Sequence, residues 1–258
     1  MALVIVLQTL AANLGSMCTP VGNPQNLYLI LLRYGLPSFL TLLLPYTLVS
    51  FLLLTLSLFR LPGTPIPISV RLAARRTRNL PVLAPSRRLW LLGGMFFLSL
   101  LTVAHVLDYR LTLAIVIVVT SLTRPRYFRY ADYRLLGTFV AFFILVGNMS
   151  QLPGFRDLLT GYLEGHEFLI ALLASQVISN VPAAVLLSGF TDEAAALLLG
   201  TDIGGLGTLI ASMASLISYG MYVRACPRQQ GRYLKLFSLL NLAYLLVLVL
   251  FAWLLVRC

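Results

Sequence analysis

The chain has 258 residues, of which 59% are hydrophobic and 10% are charged, and its mean hydropathy is +0.92. Soluble domains carry roughly 45–50% apolar and about 25% charged residues, so this composition excludes a water-soluble globule and indicates an integral membrane protein. The net charge of +11 does not indicate a nucleic-acid partner, because the basic residues lie in short loops between apolar runs, where the positive-inside rule accounts for them.

Apolar runs separated by charged loops predict the elements in chain order. A spanning helix uses about 20 residues, so the length allows roughly eight to ten membrane segments in one bundle. Residues 1–60 predict a broken helix and one span, and residues 61–88 predict a basic, proline-rich linker. Residues 89–258 then predict three spans, a hairpin, a second broken helix and a last span, in this order: 89–107, 111–123, 135–155, 168–191, 194–223 and 236–256.

The charged loops predict how the chain lies in the membrane. Three loops are strongly basic: 60–88, 124–134 and 224–235. If all three are cytoplasmic, as the positive-inside rule requires, the segment 168–191 must enter and leave from the outer side, which predicts a re-entrant hairpin. Its centre, SQVISNVPAA, contains Pro182, which disfavours helix at the preceding residue. The alternative is an ordinary spanning helix that Pro182 kinks.

Two stretches with small and polar residues resemble each other. NLGSMCTPVGNPQN (13–26) aligns with DIGGLGTLIASMAS (202–215) at a constant offset of 189 residues. Both interrupt a long apolar run, and the loop charges place their entries on opposite sides of the membrane. An inverted repeat of broken helices is typical of secondary transporters with a binding site at the midplane, and it predicts an all-α polytopic membrane protein. The alternatives are chance similarity and helix packing, since Gly200 and Gly204 form a G-x-x-x-G motif.

The two stretches and the hairpin centre resemble the broken-helix and hairpin motifs of the ion transporter superfamily. That group includes divalent-anion/sodium symporters, citrate permeases, arsenite permeases and a branch of sodium/proton antiporters. The resemblance implies a homodimer in the lipid bilayer, with two clasp loops and the hairpin tips binding coupling cations and an anionic substrate. It implies these binding residues in the present chain: Asn13, Gly15, Ser16, Thr19, Gly22, Asn23, Asn26, Ser179, Asn180, Asp202, Gly204, Gly205, Thr208 and Ser212.

The tip sequence separates the branches of this superfamily. Many carboxylate transporters have Ser-Asn-Thr at the tip, whereas this chain has Ser-Asn-Val-Pro at 179–182. The aspartate that arsenite permeases and antiporters favour at the tip is absent, so the anion permeases are favoured. Repeat two matches the family pattern over 89–258, but repeat one shows only its broken helix and last span. This leaves three explanations: a truncated gene product, a split transporter with a partner chain, and a minimal half-transporter.

The predicted function is that of a secondary active transporter for a small anion such as a carboxylate, coupled to Na⁺ or H⁺. No enzyme is predicted, because nucleotide-binding, metalloprotease and esterase motifs are missing from the sequence. The scattered cysteines and histidines predict no disulfide framework, metal centre or cofactor other than the coupling ion. The alternatives are a sodium/proton antiporter or arsenite permease, and an inactive fragment or half-transporter that requires a partner.

Asp202 is the one acidic residue inside the run 194–223. A carboxylate at the centre of a spanning helix costs about 2.5–3.5 kcal/mol on insertion scales, so it needs a partner or a function. Because glycines follow it, Asp202 is predicted at the negative end of a half-helix, which favours a cation. A Na⁺ site near Asp202, Ser179 and Asn180 is therefore predicted; the alternative is a hydrogen bond from the Asp202 side chain that stabilises the break.

Overall fold

The computed structural model describes residues 2–33, 35–59, 87–123, 125–130, 133–149 and 151–257. Within these ranges every regular element is a helix, which confirms the predicted all-α class. The α-helices are α1 (Ala2–Ser16), α2 (Pro24–Arg33), α3 (Leu36–Phe59), α4 (Arg87–Val103), α5 (Tyr109–Thr123), α6 (Tyr133–Met149), α7 (Pro153–Leu163), α8 (Glu167–Ile178), α9 (Asn180–Leu187), α10 (Ala194–Gly204), α11 (Met213–Ala225) and α12 (Gln230–Arg257). The predicted linker lies outside the described residues, except that 87 and 88 belong to α4.

The chain forms two compact units. The first comprises Met1–Thr55 and Ala131–Cys258, and the second comprises Leu56–Tyr130. In the second unit, α4 and α5 pack on each other, and the hydroxyls of Thr102 and Thr112 are 2.6 Å apart. All the predicted site residues belong to the first unit.

Two helical stretches of the described chain, Leu36–Phe59 and Pro227–Leu255, are long and apolar enough to cross a membrane. They correspond to the predicted spans 34–59 and 236–256. Large apolar side chains such as Phe51 and Leu250 are more than half exposed on them. A helix that is apolar on all sides is typical of a protein surrounded by lipid.

Both predicted broken helices are interrupted. The first ends at Ser16 and resumes at Pro24, and the second ends at Gly204 and resumes at Met213. The glycines and prolines in these stretches remove backbone hydrogen bonds or disfavour helical dihedral angles, so the interruption is encoded locally. The two non-helical segments, 17–23 and 205–212, are called break 1 and break 2 below.

The segment 168–191 is also interrupted, at Ser179 rather than at Pro182. Ser179 has φ +76° and ψ 152°, a conformation that favours glycine, and it separates α8 from α9. Pro182 lies in the first turn of α9, where its missing N–H costs no intrahelical hydrogen bond. The interruption is thus a break at the serine and not a proline kink. That both helices reach the same side of the membrane stays a prediction.

The predicted span 135–155 is shorter than expected. Its helix α6 ends at Met149, and α7 begins at Pro153 and continues to Leu163, into the stretch between the predicted segments 135–155 and 168–191. No helix had been predicted over 156–163. The physical reason is that Pro153 occupies the first position of α7, where its fixed φ favours the start of a new helix.

Helix α10 packs closely along α8 because it carries glycines where the helices meet. A Cβ on Gly200 would lie 2.5 Å from the carbonyl oxygen of Phe168, and a Cβ on Gly204 would lie 2.8 Å from Cβ of Ser175. The G-x-x-x-G motif therefore serves helix packing. This packing places the end of α10, with Asp202, beside the interruption between α8 and α9.

Candidate functional site

Asp202 receives hydrogen bonds from the residues that start α2. Its Oδ1 atom accepts from Nε2 of Gln25 at 2.9 Å and from Nδ2 of Asn23 at 3.5 Å. Asn26, the next residue after Gln25, donates from Nδ2 to the carbonyl oxygen of Met17 at 3.2 Å and so closes break 1. The Asn-Pro-Gln-Asn sequence thus turns three amide side chains inward at the N-terminus of α2.

These buried side chains hold more acceptor atoms than donors. Asp202, Gln25 and Asn26 are at most 5% exposed. Asp202 Oδ2, Gln25 Oε1 and Asn26 Oδ1 are fully buried without a hydrogen-bond partner. Buried polar atoms are almost always paired, so this cluster has an unused capacity to accept a proton or to coordinate a cation.

Gln176 of α8 holds break 2. Its Nε2 donates to the carbonyl oxygens of Gly204 at 2.7 Å and Leu206 at 2.9 Å, and its Oε1 accepts from the backbone N–H of Thr208 at 3.0 Å. The Thr208 hydroxyl donates to the carbonyl oxygen of Gln176 at 2.9 Å. Gly207 has φ +103°, and a side chain there would collide with Gln176. One glutamine therefore satisfies the backbone groups that the end of α10 leaves free.

The tip between α8 and α9 is bound to the far end of break 2. The backbone N–H of Asn180 donates to the carbonyl oxygen of Ala211 at 3.0 Å, and the Ser179 hydroxyl donates to the same oxygen at 3.3 Å. The Asn180 amide nitrogen would be 3.0 Å from a Cβ on Gly205, so a side chain at 205 would displace it. Asn180 thus contacts the start of break 2 while Ser179 and Asn180 bind its end.

Helix α1 joins the start of α11 through a row of polar contacts. The Asn13 side chain accepts from the Ser212 hydroxyl at 2.8 Å and donates to Ser215 at 3.3 Å. One turn earlier, the Thr9 hydroxyl donates to Ser218 at 2.6 Å. Helix α1, which precedes break 1, therefore contacts α11, which follows break 2. The bond between Gln25 and Asp202 likewise joins α2, which follows break 1, to α10, which precedes break 2.

Most of the predicted residues fall within these contacts. Ser16 donates to Asn23 Oδ1 at 2.7 Å, and Thr19 donates to the carbonyl oxygen of Ser16 at 3.1 Å. Gly22 lies so close to both Thr19 and Ser16 that a Cβ at 22 would collide with them. Gly15 is different, because it lies inside α1 and a Cβ there would meet nothing within 4 Å.

The structure also shows which side chains reach Asp202. They are Asn23, Gln25 and Asn26, whereas Ser179 and Asn180 bind the Ala211 carbonyl oxygen. The sequence interpretation did not include Gln25 and Gln176 among the site residues. Gln176 is a polar residue inside an apolar run, and Gln25 is next to Asn26, which was predicted as a site residue. These positions were the features of the sequence that could have identified them.

A family model described as Citrate transporter matches residues 1–218. An uncharacterized transporter of Methanocaldococcus jannaschii is 30% identical over 252 residues, which cover 96% of this chain and 66% of that protein. The inner membrane protein YbiR of Escherichia coli is 33% identical over 225 residues, which cover 84% of this chain and 58% of that protein. No solved structure matches the chain.

The chain spans about three fifths to two thirds of the length of these curated relatives. The family description and the name of the Methanocaldococcus jannaschii relative are those of transporters, and the Escherichia coli relative is named as an inner membrane protein. This agrees with the apolar composition and with the two interrupted helices, which are joined by polar side-chain contacts. The chain belongs to the citrate transporter family.

Proposed function

We propose that this protein is a secondary active transporter that moves a small anion such as a carboxylate across the cell membrane, coupled to Na⁺ or H⁺. The observation that carries this proposal is the crosswise contact between the two broken helices. Asn13 before break 1 binds Ser212 at the start of α11, and Gln25 after break 1 binds Asp202 at the end of α10. Such an arrangement supports the inverted repeat predicted from the sequence.

The helix ends at the breaks supply the chemistry for an anion. The N-terminus of an α-helix carries unpaired N–H groups and a partial positive charge, so it attracts carboxylates and phosphates. Helix α2 starts at break 1 and α11 starts at break 2, where the Ser212 hydroxyl accepts from the backbone N–H of Ala214 at 3.2 Å. Side-chain amides lie beside these breaks as well: Asn23 at break 1, and Asn13 and Asn180 at break 2.

The orientation follows from the loop charges. In the proposed topology the chain crosses the membrane several times, and the basic loops 60–88, 124–134 and 224–235 face the cytoplasm. The α8–α9 hairpin then enters from outside and brings Ser179 to the middle of the membrane. Irregular backbone at that depth is tolerated where protein buries it or where it lines a polar cavity, and here the bonds to Ala211 hold the half-buried Ser179 against break 2.

Transport by the purified chain in liposomes tests the proposal. Vesicles preloaded with unlabelled anion should take up labelled citrate, succinate, phosphate or sulfate by counterflow, and a Na⁺ or pH gradient should drive net accumulation. Asn13→Ala removes the contact between α1 and α11 and should lower uptake at least about tenfold, which corresponds to about 1.4 kcal/mol, the size of one or two hydrogen bonds. Asn148→Ala on the exposed side of α6 is the matched control and should leave uptake unchanged.

Two results would contradict the proposal. Folded protein that exchanges none of the four anions would favour a scaffold without transport activity. Proton efflux driven by Na⁺ in the absence of any anion would favour an antiporter, for which the buried Asp202 would be the carboxylate that binds the cation.

A further inference from the structure

Asp202 occupies a place where an anion would bind. Its carboxylate lies beside the first turn of α2, and the amides of Asn23 and Gln25 both donate to one oxygen, Oδ1. The other oxygen, Oδ2, is buried without a donor. A helix N-terminus with two convergent amide donors is an arrangement that binds a carboxylate. The Asp202 carboxylate therefore occupies the two donors, from Asn23 and Gln25, to which a substrate carboxylate would bind.

No other charge in the described structure balances Asp202. The elements packed on α10 are α2, α8, α9 and α12, and α10 itself carries no further charged residue. Their described titratable or charged side chains are Tyr28, Glu167, Arg232, Tyr233, Lys235 and Tyr244. The side chains that act on Asp202 through hydrogen bonds are the amides of Asn23, Gln25 and Asn26, and none of the charged or titratable groups named above forms a hydrogen bond or ion pair with it.

An ionised Asp202 and a bound anion therefore exclude each other. Two negative charges about 5 Å apart repel by roughly 3 kcal/mol at an effective dielectric constant of about 20. A proton on Oδ2 removes this charge and weakens Oδ1 as an acceptor, so the two amides become free to bind the substrate. The new O–H group also supplies a donor to a cluster in which Gln25 Oε1 and Asn26 Oδ1 lack one.

We propose that the Asp202 carboxylate is a tethered competitor of the substrate and that its protonation releases Asn23 and Gln25 for the substrate anion. The inference rests on the proposed function and identifies the coupling ion as H⁺. In the step, an O–H bond forms at Asp202 with a proton from water on the entry side. The two N–H···O contacts to Oδ1 are replaced by contacts to the substrate, and the proton leaves with the substrate on the other side.

Anion binding by wild type and Asp202→Asn tests this assignment, with the same four anions as probes. Asparagine is neutral and nearly isosteric, so it imitates the protonated acid. At pH 7.5 the variant should bind the transported anion at least about tenfold more tightly than wild type. From pH 8 to 5.5, the ratio of the two affinities should shrink as wild type becomes protonated; the titration of the anion itself is common to both and cancels. Accumulation driven by a pH gradient should fall at least tenfold in the variant, and this fall should exceed any change in its counterflow.

Two further measurements complete the experiment. Asp157→Asn, at an exposed position of α7, is the matched control and should keep the wild-type pH dependence. In wild type, a pH dye in weakly buffered solution should report about one proton taken up per anion bound, beyond what the anion itself accounts for. This readout needs no variant and so remains decisive if Asp202→Asn does not fold.

The results separate this inference from the proposed function. Two results would overturn the role of Asp202 as a competitor while leaving the proposed transport intact. In the first, wild type transports the anion without proton uptake; in the second, Asp202→Asn binds the anion more weakly than wild type. A requirement for Na⁺ in place of protons has the same meaning. Wild-type protein that neither binds nor exchanges any anion overturns both.

Discussion

Replacing Gln176 by methionine should destabilise the protein, because it removes the side chain that holds break 2. Methionine has a similar length but cannot form the bonds to Gly204, Leu206 and Thr208. Side-chain hydrogen bonds inside membrane proteins contribute roughly 0.6–1.7 kcal/mol each. Three lost bonds, which leave backbone groups unsatisfied, therefore cost about 2–5 kcal/mol.

Thermal unfolding in detergent or nanodiscs measures this cost. At roughly 2 °C per kcal/mol for a chain of this size, the melting temperature should fall by about 4–10 °C. Gln8→Met is the matched control, because Gln8 is exposed on α1 and makes no side-chain hydrogen bond within the described residues. A Gln176→Met variant that melts within about 1 °C of wild type while Gln8→Met is also neutral would refute the role assigned to Gln176.

Two further outcomes are expected from the packing and from the loop charges. Gly200→Ala should lower the melting temperature by several degrees, because its Cβ would lie 2.5 Å from the Phe168 carbonyl oxygen. The control Gly220→Ala, which has open space around its Cβ, should be neutral or stabilising. Equal melting temperatures for the two variants would contradict the close contact between α8 and α10. In a background without the native cysteines, Gly165→Cys and Asp192→Cys should both react with an impermeant reagent from outside; reaction at 192 only after permeabilisation would contradict the re-entrant hairpin and, with it, the inverted repeat.

The sequence alone determined the class of the protein and the positions of both helix breaks. These properties depend on local chemistry: low charge and long apolar runs require a lipid environment, and glycine and proline interrupt a helix wherever the chain folds. The breaks at 17–23 and 205–212 and the interruption at 179 fall inside the predicted stretches. The start of α7 at Pro153 was missed because it depends on a short helix next to an apolar run, where charge suggests a loop.

Only the tertiary structure decided which residues meet. Gln25 and Asp202 are separated by 177 positions and Asn13 and Ser212 by 199, so their contacts depend on the packing of four helices and leave no local signal. For the same reason, the partners predicted for Asp202 were Ser179 and Asn180, whereas the side chains that donate to its Oδ1 are those of Asn23 and Gln25. A polar residue in an apolar run indicates that the side chain has a hydrogen-bond partner, because an unpaired polar group is costly in lipid. Which residue is that partner depends on how the helices pack.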